Sequence, residues 1–353
     1  MKKRTTITWL ILLLANIHTF AQTRIALQSD GVTQIFGAFS DALEAAQDGD
    51  TIYLPGGAID IGTAYIEKEL TIFGAGHYPQ YTEATGVTML NGTLYMRQAD
   101  PETPLENIYL EGFYISGDIR IGTSSDNQNV NQVNIRRCSM RDLYLSRAAA
   151  ITGNAEQVHI IENVIRGRVY GGDAQNVLFS KNIIEGFFWY FDGNAVFTNN
   201  IFLNDQNLST VSTSFRYITN STFSNNIIRC VNSSRCFNNM SANNFNNNMW
   251  RYDFEVPPGS TGSENIINLI PDEIFVNATG NIFNYEFDYQ LSEGSPGIGA
   301  GTDDTDIGIY GTPRPYKEGA VPRTPWIRSQ TIAPETDEDG KLNVEIEVEA
   351  QGE

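Results

Sequence analysis

The chain has 353 residues, 41% of them hydrophobic and 18% charged, with 23 Lys plus Arg against 42 Asp plus Glu and a formal net charge of -19. That balance argues against nucleic acid and against anionic membrane surfaces, both of which need basic patches. It leaves room for an acidic substrate held in a local basic groove.

The opening segment, MKKRTTITWLILLLANIHTFAQ, starts with Lys2, Lys3 and Arg4, continues with a short apolar run at 7–15 and places Thr19 and Ala21 in a small-x-small arrangement. This is the pattern of a secretory signal peptide, residues 1–21, cut after Ala21; the apolar run is too short to span a bilayer. No Cys near the cut offers a lipid anchor, and no later segment is apolar enough to cross a membrane. The expectation is an exported protein, secreted or at the cell surface, without membrane insertion. Loss of the three basic residues takes the charge from -19 to -22 (-19 - 3).

Residues 22–49 read as an N-terminal cap. Within it SDALEAAQDGD (40–50) predicts a short helix, with Ser40 or Asp41 accepting from the first-turn N–H groups and Leu43 and Ala46 facing inward. TIYLPGGAIDIG (51–62) predicts a strand and a Gly-rich turn, and ELTIFGAGHY (69–78) another strand.

A repeat then emerges. VHIIENVI (158–165), VLFSKNII (177–184), AVFTNNIF (195–202), STFSNNII (221–228) and NNFNNNMW (243–250) share one shape: an apolar residue, two polar ones, Asn, one residue, and another apolar residue. VNIRRCSM (133–140) fits with Cys138 at the Asn position, and IYLEGFYI (108–115) with Phe113. The first apolar column is Leu110, Ile135, Ile160, Phe179, Phe197, Phe223 and Phe245, with steps of 25, 25, 19, 18, 26 and 22 residues. Short strands recurring at such a period indicate a solenoid.

The segments GDTIYLPGG (49–57) and LTIFGAG (70–76) resemble the first coils of the right-handed parallel β-helix, or pectin lyase-like, superfamily of secreted bacterial proteins, in which an amphipathic helix caps the open end. The resemblance implies an all-β, single-stranded right-handed parallel β-helix over 50–311. At roughly 22 residues per coil and about 4.8 Å per stacked strand, that is about a dozen coils. In such a fold Asn163, Asn182, Asn200, Asn226 and Asn248 would stack at one corner as a hydrogen-bonded ladder. Each is expected to take the left-handed backbone that a corner requires and Asn tolerates.

Cys230 and Cys236 are spaced to bridge a loop or to stay reduced, and the residues leave both readings open; Cys138 reads as a packed ladder residue. LSEGSPGIGAGTDDTDIGIYG (291–311) looks like the closing coil of many secreted β-helices, and its Asp303, Asp304 and Asp306 read as a turn in preference to a cation site. No metal site is assigned. Residues 312–334, with five prolines at 313–334, read as an extended linker. Residues 335–353 read as an acidic one-face strand in which Leu342, Val344, Ile346 and Val348 alternate with Asn343, Glu345, Glu347 and Glu349. That strand must dock on the rod or offer itself to a protein partner's sheet edge.

Chemistry is harder to find. A lyase acting on uronate glycans needs a base for the ring proton and a cation, such as calcium, to neutralise the carboxylate. The basic candidates on successive repeats are Arg166, Arg168 and Lys181, near Glu162 and Asp173, with Arg136 and Arg137 one repeat earlier; the bland alternative is balanced surface charge. The carboxylate motifs of polygalacturonase-like hydrolases are absent from the coils. In EGFFWYFDGN (185–194) strict alternation places Phe187, Trp189 and Phe191 on one side, with Asp192 beside them, and Phe188 and Tyr190 on the other. Exposed rings there would stack on sugars. The leading expectation is an exported, non-catalytic protein that contacts polysaccharide and uses no cofactor. The alternatives are a uronate lyase and a structural subunit that joins an exported assembly through its final strand.

Overall fold

The computed structural model describes residues 24–350 apart from 123–128, 147–154, 205–213, 231–235, 271–272, 322 and 324. The signal-peptide reading therefore lies outside the described residues.

Between residues 51 and 263, strands pair in parallel with their equivalents one repeat away. The result is a β-solenoid with three faces. The first runs from Thr51–Tyr53 through Gln175–Ser180 to Thr261–Ser263. The second stacks Tyr114–Ile115, Ser139–Met140, Val164–Ile165, Ile183–Ile184, Ile201–Phe202, Ile227–Ile228 and Met249–Trp250. The third stacks Ile119–Ile121, Leu143–Tyr144, Val169–Gly172, Phe188–Phe191, Phe215–Ile218 and Phe237–Asn238. The long strand Thr88–Met96 pairs with the second face through its first half and with the third through its last, so these two faces form one 15-stranded sheet.

The first-face column that the repeat picks out stands in register, from Leu110 opposite Ile135 to Phe223 opposite Phe245. All seven residues are buried inside. The rings of Phe179, Phe197, Phe223 and Phe245 stack at centroid separations of 5.2, 4.5 and 4.9 Å. A one-residue slip would turn the whole column outward, so burial fixes the register.

At the corner after the first face, Asn163, Asn182, Asn200, Asn226 and Asn248 lie one above another and continue to Asn265. Each Oδ1 accepts from the backbone N–H of the residue in the preceding coil, from Cys138 bound by Asn163 to Asn248 bound by Asn265. Each Nδ2 donates to a first-face carbonyl of the preceding coil, Ile135 for Asn163 and Phe179 for Asn200. The left-handed backbone, however, belongs to the residue before each ladder position. Arg137, Glu162, Lys181, Asn199, Asn225, Asn247 and Glu264 have φ of 50 to 60°. This corrects the expectation that the ladder Asn itself turns the corner. The turn swings the preceding side chain outward and leaves the Asn amide aimed into the stack, where its hydrogen bonds are.

On the second face both residues of each pair from Ser139–Met140 onward are buried. Ile184, Phe202 and Ile228 face the interior, while Val164, Ile183, Ile201, Ile227 and Met249 face a second apolar cluster built with Phe275, Phe283, Tyr289 and Ile307. Consecutive apolar residues mark a strand covered on both sides, and the chain after the last coil is the cover. The stacked first-face strands end at Thr261–Ser263, so 291–311 is not a closing coil. Phe275–Asn277 and Asp288–Leu291 pair antiparallel, and Asp303 and Asp306 accept from Thr305 Oγ1 and the Gly299 N–H inside turns.

The chain then runs back along the ladder corner as a strap. Residues 300, 302, 308, 314 and 321 meet Asn247, Asn225, Asn199, Lys181 and Arg137 in that order, so the strap rises in number as the coils fall. Under it lies a buried run of alternating charge. Arg137 is 3.2 Å from Glu111 and 2.7 Å from Glu162, and Lys181 is 3.0 Å from Glu162. Burial pushes the Glu162 carboxyl up, but Arg137 and Lys181 outweigh it and hold it below the ordinary range.

The stretch read as a linker is thus partly docked, and its end is a strand. Trp326–Ile332 pairs antiparallel with Val344–Glu349, which gives the acidic strand its partner within the chain. At the other end Ile25–Ser29 pairs antiparallel with Val32–Phe36 and with Thr51–Tyr53. The capping helix is Phe39–Ala45, and no side chain caps it. It starts before Ser40, whose hydroxyl bonds Asp41 instead. Phe39 and Ala42 seal the end of the core.

Candidate functional site

The third face carries the feature best suited to a ligand. Its outward residues form one register column: Tyr65, Tyr95, Arg120, Tyr144, Tyr170, Trp189, Arg216 and Asn238. Seven steps of about 4.8 Å give it a length of roughly 34 Å. Five rings and two guanidinium groups share it, with Arg120 following Tyr95 and Arg216 following Trp189. Arg97 lies over Tyr65 at 3.9 Å and Arg120 over Tyr144 at 4.0 Å. Arg216 lies over Tyr217 at 4.8 Å. Tyr170 and Tyr190 are 5.3 Å apart, and Tyr190 and Tyr217 stack at 4.8 Å.

Asp118 fixes the guanidinium groups. Its two oxygens take Arg120 and, at 2.9 and 3.1 Å, Arg141. Asp142 accepts from the Arg168 N–H and lies 3.7 Å from the Arg168 guanidinium. Burial alone would lower the Arg120 pKa; the hydrogen bond to Asp118 and its charge raise it. Burial and then Asp142 raise the Tyr144 pKa. The strip presents five arginines, Arg97, Arg120, Arg141, Arg168 and Arg216, beside Glu67, Asp118 and Asp142. Close approach of the coils is secured by glycine: a Cβ on Gly186 would sit 1.5 Å from the Gly167 carbonyl oxygen.

The aromatic run at 187–191 divides differently from strict alternation. Tyr190 has φ of 58°, which breaks the pleat, so Phe188 and Phe191 both turn inward and are fully buried. Trp189 is half-buried and Tyr190 is 39% exposed. Phe187 is buried, its ring 4.7 Å from that of Trp189. Of Phe187, Trp189, Phe191 and Asp192, then, only Trp189 stands in the outward column. Asp192 is exposed at the following turn, where it accepts from the Thr219 hydroxyl. Tyr217 repeats the device: φ of 55° lets Phe215 and Ile218 both face inward.

Arg166, Arg168 and Lys181 are not brought together. Arg166 packs against Phe283 and Tyr285 beneath the C-terminal cover. Arg168 lies beside Asp142 at the entry to the third face, and Lys181 is held at the ladder corner by Glu162 and the Arg314 carbonyl oxygen. Among the described residues, no group of three His, Cys, Asp or Glu is placed to hold a metal, and no helix is long and apolar enough to cross a membrane. Cys230 and Cys236 form a disulfide with a Cα–Cα distance of 5.6 Å. Cys138 is a buried free thiol, pushed up to about 12 by burial.

No protein-family model matches the chain, and no curated protein matches it.

Proposed function

We propose that the protein is an exported, non-catalytic member of the right-handed parallel β-helix, or pectin lyase-like, superfamily, and that it holds polysaccharide along its third face. One observation carries the reading: the register column from Tyr65 to Arg216, in which five rings and two guanidinium groups follow one another at the strand spacing. An extended glycan presents apolar ring faces and hydroxyl edges at a regular period. Tyr and Trp rings offer a stacking surface with polar tips, and fixed guanidinium groups donate in defined directions. A rigid platform loses little conformational entropy on binding. Arg166, Arg168 and Lys181 lie at three separate places on the solenoid, which favours binding over turnover. Export is supported by the signal-like first residues and is compatible with the disulfide.

A glycan array probed with the mature protein, Trp189→Ala and Tyr170→Ala tests this. The proposal expects wild-type signal on extended polysaccharides and a loss of about tenfold or more in either variant. Equal signal from all three proteins, or none from the wild type, removes it.

A further inference from the structure

A second recess lies away from the third face, where the turn at 78–81 meets the returning chain at 285–290 and 310–318. It encloses about 410 Å³ and is walled by Tyr81, Tyr285, Phe287, Tyr289, Tyr310 and Tyr316. A volume of that order suits a small molecule. Its charged lining is entirely acidic, Glu286, Asp288 and Glu318, and no Lys, Arg or His takes part.

Glu318 sits in an unusual setting. One oxygen accepts from Tyr81 Oη at 2.9 Å and the other from Tyr310 Oη at 3.0 Å. Both donors are neutral, so the carboxylate is oriented without being neutralised. Among the described residues no cation stands within ion-pair distance of Glu318, Glu286 or Asp288. Arg166 approaches the Tyr285 ring at 5.9 Å but is outside the lining. Burial raises the hydroxyl pKa of Tyr81, Tyr289, Tyr310 and Tyr316, so the rings stay neutral at physiological pH.

Electron-rich rings around a carboxylate that no cation neutralises form a cation receptor, and the ring carbons favour a cation that carries its own apolar surface over a hydrated metal ion. We propose that this recess binds an organic cation with a methylated ammonium head. The site owes nothing to the third-face column, so either can fail alone.

The test is isothermal titration of the mature protein with choline, with tetramethylammonium, and with 3,3-dimethylbutan-1-ol, the neutral carbon isostere of choline. The expected result is saturable binding of both cations, with the isostere weaker by about tenfold or more. Glu318→Gln and Tyr81→Ala, both at exposed positions, are each expected to weaken choline by a similar factor while the melting temperature holds. Absence of cation binding to the wild type, or equal binding of the isostere, overturns the proposal. Unchanged affinity in folded Glu318→Gln overturns it as well.

Discussion

Asn200 Oδ1 accepts from both the backbone N–H and the Nδ2 of Asn182, each at 2.9 Å, while Asn200 Nδ2 donates back to the Phe179 carbonyl oxygen at 2.9 Å. One fully buried amide thus satisfies both a donor and an acceptor of the preceding coil. Inside the buried stack an Asn at this position satisfies both groups at once.

Asn200→Ala therefore strands the Asn182 N–H and the Phe179 carbonyl. At about 1–3 kcal/mol per unsatisfied buried group, a loss of roughly 2–6 kcal/mol is expected from denaturant unfolding. Asn343→Ala, at an exposed position outside the left-handed region, serves as the comparison, and a similar small effect from both would deny the ladder its role.

The strap rests on charges buried at the same corner. Removal of Arg137 leaves Glu111 without its ion-pair partner and Glu162 with Lys181 alone, so Arg137→Leu is expected to cost about 3–5 kcal/mol. The pH dependence has a definite sign. The folded Glu162 pKa is depressed, so its contribution is present above the unfolded glutamate pKa and is lost as pH falls through the lower folded value. Glu162→Gln should flatten this part of the acid limb of a stability–pH curve; an unaltered limb would show that the carboxylate does not anchor the strap.

His77 is buried beside Tyr285, its Nδ1 3.1 Å from the Tyr285 hydroxyl. Burial first, and the Arg166 charge second, lower its pKa from 6.5 to about 3. The unfolded chain takes up this proton as pH falls below 6.5 and the folded chain does not until about 3, so stability declines across that window. The His77 ring resonances should hold constant from pH 7.5 to about 4.5, whereas a midpoint near 6.5 would mean that the returning segment does not cover it.

Legibility in the sequence followed periodicity. The first-face column and the five ladder asparagines could be read because each repeat carries them at fixed offsets. Asn265 escaped because Gly262 replaces the apolar residue that leads its repeat. The third face was hidden by loop length: Phe188 follows Asn182 by six residues, but Phe215 follows Asn200 by fifteen. Its outward residues, Tyr65, Tyr95, Arg120, Tyr144 and Arg216, also answer to no burial pattern. The division of 187–191 turned on a left-handed Tyr190, which composition does not signal. The strap has almost no regular hydrogen bonding of its own, so only the paired Ile, Val and Phe residues of the second face betrayed a cover.

The most direct measurement is hydroxyl-radical footprinting with and without a polysaccharide retained by the wild-type protein. The account predicts joint protection of Tyr65, Tyr95, Tyr144, Tyr170, Trp189, Tyr190 and Tyr217, with Tyr252 and Tyr81 unchanged. Protection confined to another surface, or a bound glycan that leaves these rings as reactive as before, would contradict it.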